Sequence, residues 1–223
     1  MLSLLTALWQ SDAAFPSGGF AFSNGVEAAT AFQSFDRAAL ASLIGVALGR
    51  RWASAERLAL LHAFHADDLV RLRAADEAYD AATLCEPFRV GSRRNARAFL
   101  TAHRRLGSPG AAELDAEIAA ERTPGHLPTA QGWIWRRLGL GRVEAVAASA
   151  YTTAAGMANA AVRLGALGAL EAQGALAAAL PLIEALAQAP FEPEAPFAFS
   201  SAALWLDVVS ARQARAHLRL FAN

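Results

Sequence analysis

"VEAVAASAYTTAAGMANAAVRL", residues 143–164, is the stretch that decides the fold class. Its side chains are almost all small or apolar, no proline interrupts it, and Gly139-Leu140-Gly141 and Gly165 bracket it, so the spacing predicts one long helix. Asn159 and Arg163 lie four residues apart on this otherwise apolar surface. Such an i, i+4 pair reads either as a buried polar contact that satisfies itself at a helix or dimer interface, or as a contact with a second protein.

Outward from this helix the same period repeats. Pro128 can occupy the first turn of a helix over 128–138. On the other side, "ALGALEAQGALAAALPLIEALAQA", residues 166–189, is the most hydrophobic run in the chain. Glu171, Gln173, Glu184 and Pro181 break it, which favours a packed helix, with Pro181 a kink point, over a membrane span. Helical periodicity also covers 37–48, 53–64, 67–84, 88–106 and 111–121, with Gly107-Ser108-Pro109-Gly110 as a breaker. Leu2, Leu5 and Leu8-Trp9 form an apolar stripe that Ser11-Asp12 and Pro16 end. No run of alternating β-branched residues reads as a strand. The expectation is an all-α, single-domain bundle of about eight to ten helices. Its body spans 1–187, a Pro/Phe-rich linker 188–201, and a C-terminal amphipathic helix or tail 202–223.

Composition narrows the chemistry. The 223 residues are 55% apolar and 18% charged, enough to build a core and far from a disordered composition. Twenty acids balance twenty bases, which gives no overall pull toward nucleic acid or acidic lipid. Every base is an arginine, so a P-loop lysine, a Schiff base and a lysine general base are all excluded. The lone Cys85 rules out an internal disulfide framework and any paired-cysteine zinc site. With no basic leader in "MLSLLTALWQ", a cytoplasmic chain is expected. There is no G-x-S-x-G, H-E-x-x-H or strand-borne G-x-G-x-x-G, so no catalytic residue, metal ligand or bound cofactor is assigned.

"AFPSGGFAFSNGVEA", residues 14–28, is irregular where the rest is uniform. Gly18-Gly19 supply a turn, Phe15, Phe20 and Phe22 supply apolar bulk, and Asn24 with Glu27 has capping-box spacing, with Ser23 as the competing cap. This describes a tight corner, and a rigid corner is also a good platform for a protein contact.

Elsewhere, Arg89, Arg93 and Arg97 line one helix face, joined by Arg94, Arg104 and Arg105. Acids at Glu113, Asp115, Glu117 and Glu121 follow closely, so a solvated or internally paired face, or a protein contact, outweighs a nucleic-acid stripe. His62 and His65 lie at i, i+3 with Asp67 and Asp68 beyond. A helical enzyme or metal-binding protein using these histidines and the Gly18-Gly19 loop is the rival reading, weak because a stable site needs more ligands. The linker's Phe191, Phe197 and Phe199, then Leu204, Trp205, Val208 and Val209, concentrate apolar surface suited to packing or to docking on a partner.

Taken in order, several stretches resemble the urease accessory protein F (UreF) family. They are Pro16, Gly18-Gly19-Phe20, Ala21-Phe22-Ser23 and Gly25-Val26-Glu27, then "GSRRNARAFL" (91–100), "GHLPTAQGWIWRRLGL" (125–140), "ANAAVRLGALG" (158–168), "LDVVSARQ" (206–213) and the terminal Arg219-Leu220-Phe221. The chain departs from the pattern at Phe22, where tyrosine is usual, at Ala169, where glutamine is usual, and at Gln213-Ala214, where His-Glu is typical. The resemblance implies an all-α, dimeric protein that is not itself an enzyme. It would bridge a urease-binding accessory protein to a nickel-carrying P-loop GTPase during assembly of urease, with nickel and GTP carried by those partners, and could modulate the GTPase. The contact residues it implies are Pro16, Gly18, Gly19, Phe20, Phe22, Ser23 and Glu27 in the corner, Arg93, Arg97, Asn159 and Arg163 on helices, and Phe197, Trp205, Arg219 and Phe221 toward the end. Glu27 would meet an arginine or a switch loop of the GTPase.

Overall fold

A computed structural model describes residues 1–32, 34–201, 203–213 and 220–221. Among these residues the regular structure is helical, with eleven α-helices and no strand. They are α1 (Leu2–Ser11), α2 (Val26–Phe32), α3 (Arg37–Val46), α4 (Glu56–Phe64), α5 (Leu69–Ala82), α6 (Glu86–Arg105), α7 (Ala111–Ala119), α8 (Leu127–Arg137), α9 (Arg142–Arg163), α10 (Ala169–Gln188) and α11 (Leu204–Gln213). The all-α expectation holds, with one helix more than the upper count.

Local chemistry sets many of the starts. The carboxylates of Asp36 and Asp68 each accept a backbone N–H three residues on, from Ala39 and Arg71, both at 2.8 Å. Glu171 turns back to accept the Gly168 N–H at 3.0 Å and opens α10. Pro87 and Pro128 sit in the first turns of α6 and α8, where a missing N–H costs nothing. Pro181 lies inside α10, which continues unbroken. The boundary between the helices expected at 37–48 and 53–64 differs. The chain passes through a π-turn, Ala47–Arg51, and a 3-10 turn, Trp52–Ser54, before α4 begins. The extra residue in the wide turn rotates Ala47, Leu48, Arg51 and Trp52 into the interior.

The centre of the bundle is α4 against α8, with α9 running alongside both and carrying α1 and α10 on its other sides. At Gly132 of α8 a Cβ would lie 2.9 Å from the Phe64 nitrogen and closer still to the Leu60 carbonyl, so the two backbones meet directly. Trp133, Ile134, Trp135, Leu60, Leu61, Phe99 and Leu100 are all essentially fully buried around that crossing. Each such side chain contributes about 1.5–3 kcal/mol relative to exposure.

One buried carboxylate ties α5 to the start of α8. Asp76 is 1% exposed, and it accepts from Thr123 Oγ1 (2.7 Å), Gly125 N (2.6 Å), His126 N (3.0 Å) and Thr129 Oγ1 (2.5 Å). Four donors fill its lone pairs, as a buried charge requires.

α10 is the helix, among the described residues, long and apolar enough by composition to cross a membrane. It packs along α9 and α3.

Candidate functional site

The corner after α1 is built by close approach. Gly18 has φ +79°, and a Cβ there would stand 2.7 Å from the Ala98 Cβ of α6. Both the backbone region and the contact demand glycine. Gly19 opens a single 3-10 turn, Gly19–Ala21. Phe22 lies buried over Gly91 of α6, with the Arg94 guanidinium 5.9 Å from its ring. Gly25, at φ +88°, lets Leu206 of α11 press against the backbone, where a Cβ would be 2.8 Å from Leu206 Cδ2. Ser23 is buried and Pro16 exposed. Pro16 borders a groove of about 630 Å³ that Trp9, Phe15, Ala98, Ala102 and Arg105 also line.

The expected Asn24–Glu27 capping box is replaced by a different pairing. Asn24 takes φ +51° and α2 begins only at Val26, leaving Glu27 inside the first turn. Its carboxylate, 7% exposed, accepts the backbone N–H of Leu220 at 2.6 Å and of Phe221 at 3.4 Å. Phe221 is itself buried, and the Arg163 guanidinium lies 4.5 Å over its ring. The same guanidinium stacks 3.4 Å above the ring of Phe20 and donates to the Phe20 carbonyl. Phe20 remains 74% exposed.

Four expected contact residues from distant parts of the chain thus form one locus: Phe20, Glu27, Arg163 and Phe221. Asn159 lies one turn earlier on α9 and is exposed, while Arg163 is committed to the two rings, so the buried Asn159–Arg163 pair read from spacing gives way to an aromatic clamp. Asn159, Arg163 and Phe20 line a cleft of about 800 Å³ that continues to Leu4 and Leu8 of α1. Arg219 lies outside the described residues.

The other expected residues lie apart from this locus. Arg93 pairs with Asp80, which also accepts from His126 Nε2 at 2.8 Å. Burial pushes the Asp80 carboxyl up, but His126 and Arg93 together hold it below its ordinary value. Arg97 is exposed on α6, and Arg104 pairs with Asp115 at 2.6 Å, the internal pairing anticipated for this face. Trp205, Leu204 and Val208 are 45%, 72% and 58% exposed along one side of α11, whereas Ala203, Leu206 and Val209 are buried.

The histidine pair of the rival reading is sheathed by the linker. His62 meets Phe191, Phe197 and Phe199 edge-on at ring separations of 4.9, 4.8 and 5.9 Å, and His65 stacks on Phe191 at 5.7 Å. Among the described residues no group of three or more His, Cys, Asp or Glu side chains gathers in metal-binding fashion.

One surface was missed in the sequence. The α1 stripe reads only as apolar, and Leu2, Leu4, Leu5, Leu8 and Trp9 are 44–75% exposed. The buried residue of that helix is Gln10, whose Oε1 accepts from Trp135 Nε1 at 2.9 Å and faces His103 Nε2 at 3.1 Å. Because that oxygen only accepts, His103 carries its proton on Nε2 and takes the Ser108 hydroxyl proton at Nδ1, 2.8 Å away. A polar residue at the end of an apolar stripe was the available signal.

Fold and site together define an all-helical protein that offers solvent-facing aromatic, aliphatic and arginine-bearing surfaces. The UreF family model matches residues 35–180, and the chain belongs to the UreF family of urease accessory proteins. It is 34% identical to the urease accessory protein UreF of Cereibacter sphaeroides (strain KD131 / KCTC 12085), over 98% of each chain. It is 30% identical to the urease accessory protein UreF 1 of Brucella melitensis biotype 1, over 99% of this chain and 92% of that one.

Proposed function

We propose that this protein is a cytoplasmic, homodimeric assembly chaperone that bridges a nickel-carrying GTPase to a urease-bound accessory protein and thereby supports insertion of nickel into urease. Nickel and GTP travel on the partners, and the chain acts by position, with no catalytic group, nucleic acid or membrane involved. The observation that carries this reading is the exposed α1 stripe, since five large apolar side chains on one ten-residue helix form a contact patch. Membership of the family of urease accessory proteins supports a role beside other proteins of urease assembly.

We assign the α1 stripe to the second copy, the Phe20–Arg163–Phe221 corner to the GTPase, whose hydrolysis it would modulate, and the outer face of α11 to the urease-bound protein. Arginine and aromatic side chains of this sort are favoured where interfaces concentrate binding energy. Co-purification of the full chain with both accessory proteins tests the reading. Capture of both, lost for the GTPase alone in Arg163→Ala, is the expected outcome. Failure of the well-folded wild-type chain to capture either partner overturns it.

A further inference from the structure

The linker is fastened at both ends and sprung in the middle. At its start Arg57, 5% exposed, donates through Nε to the Leu186 carbonyl (2.9 Å) and through Nη2 to those of Ala189 (2.5 Å) and Pro190 (3.1 Å). Arg142 adds a bond to Ala189 at 3.2 Å. At its far end the Ser200 N–H reaches the Ser54 carbonyl at 3.0 Å, and the Ser54 hydroxyl returns a bond to the Ser200 carbonyl at 2.7 Å. Between these anchors the three phenylalanines close on His62, and Phe199 also meets the Tyr79 ring at 5.9 Å.

The geometry points to a proton-released strap: taking up a proton at His62 opens residues 191–199 away from α4 and α5 and loosens the approach to α11. A neutral imidazole packs edge-on among phenyl rings as another aromatic, whereas an imidazolium loses hydration against those rings and is better accommodated in open water. Around His62 the charged groups are Arg71 of α5, His65 just past the end of α4 and Glu194 of the strap itself. His65 is faced by Arg71, by Arg136 of α8 and Arg142 of α9, and by Asp67. Burial first, and these arginines second, hold both imidazoles below their ordinary pKa, with Glu194 and Asp67 opposing. When the strap lifts, His62 meets water and its proton affinity rises toward 6.5. The closed form therefore binds fewer protons: it is fully favoured above that pH and loses ground as pH falls below it, by up to about tenfold per pH unit for each histidine.

The test needs no partner protein, so its outcome is separate from that of the bridging reading. Backbone deuterium exchange of the full-length chain is followed over residues 191–200 between pH 7.5 and 5.0, with each rate normalised to that of an unstructured peptide of the same sequence. In the wild type the normalised exchange is expected to rise about tenfold across this range. In His62→Phe/His65→Phe, which keeps both rings and loses both proton sites, it should change less than twofold. Absence of a rise in the wild type, or an equal rise in His62→Phe/His65→Phe, overturns the proposal. Should that variant not fold, the imidazole C–H resonances of the wild type decide. Coincident midpoints for His62 titration and strap exchange support the switch, and separated midpoints overturn it.

Discussion

The carboxylate of Glu27 receives the backbone N–H of Leu220 at 2.6 Å, joining the first turn of α2 to a point 193 residues further along the chain. Glu27 also accepts from Phe221, so one side chain near the beginning fixes two consecutive amides near the end. Glu27→Ala should therefore act at a distance in sequence. The expected result is loss of exchange protection at the Leu220 and Phe221 amides, with a cost of about 1.5–3 kcal/mol for hydrogen bonds to a charged acceptor. Protection unchanged at both amides would show that the contact does not hold the chain end.

Arg163 is shared by two rings, and its substitution separates charge from shape. Arg163→Lys keeps the positive charge but loses the flat face that stacks on Phe20 and Phe221. Stability should drop by about 1 kcal/mol, or roughly 2–4 °C in melting temperature for a chain of this size. Under the proposed assignment, capture of the GTPase in a pull-down should fall toward the level of Arg163→Ala. Retained capture in the lysine variant would mean that charge alone makes the contact.

On α1 the usual expectation for leucine and glutamine is reversed. Leu5→Arg with Leu8→Arg should leave the melting temperature of the dilute, dissociated protomer within about 2 °C of wild type, because these side chains are exposed within the protomer. The double variant should nonetheless abolish the proposed α1-mediated dimer in sedimentation. Gln10→Ala, by contrast, strands His103 and Trp135 without their acceptor and should cost about 1–3 kcal/mol per orphaned group. A destabilised leucine variant beside an unperturbed glutamine variant would refute this picture of α1.

Burial pushes the His103 imidazole down to about 4 from its ordinary 6.5. As pH falls through that window the unfolded chain takes up a proton that the folded chain refuses, so stability is full above about 6.5 and declines toward 4. The decline attributable to His103 should be on the order of 3 kcal/mol by pH 4. Urea unfolding midpoints measured from pH 7 to 4 should show it, and His103→Gln, with its non-titrating donor, should flatten part of the slope. An identical slope in both proteins would remove His103 as its source.

The helical framework was legible because helix periodicity and its punctuation are local. Asp36, Asp68, Pro87 and Pro128 stand at helix starts for reasons contained within four residues of each. The corner at Gly18-Gly19 was legible too, since positive φ writes itself as glycine. The destination of a side chain was not. Glu27 had the spacing of a cap, and nothing within four residues could announce a chain end 193 positions away. The α1 stripe carried the correct period, but period reports that a face is apolar, not whether the protein or another molecule covers it. His62 and His65 left a weak rival reading as ligands open because their sheath comes from a proline-rich segment more than a hundred residues later.

Phe20 stands in water on one side and against a guanidinium on the other. A ring held in this way has already given up its rotamer freedom in the unbound protein, where an unsupported surface phenylalanine would give it up only on contact. The ordering cost of about 0.5–1.5 kcal/mol per immobilised side chain is thus met during folding rather than during association. An incoming surface meets an aromatic face already held in place by the guanidinium.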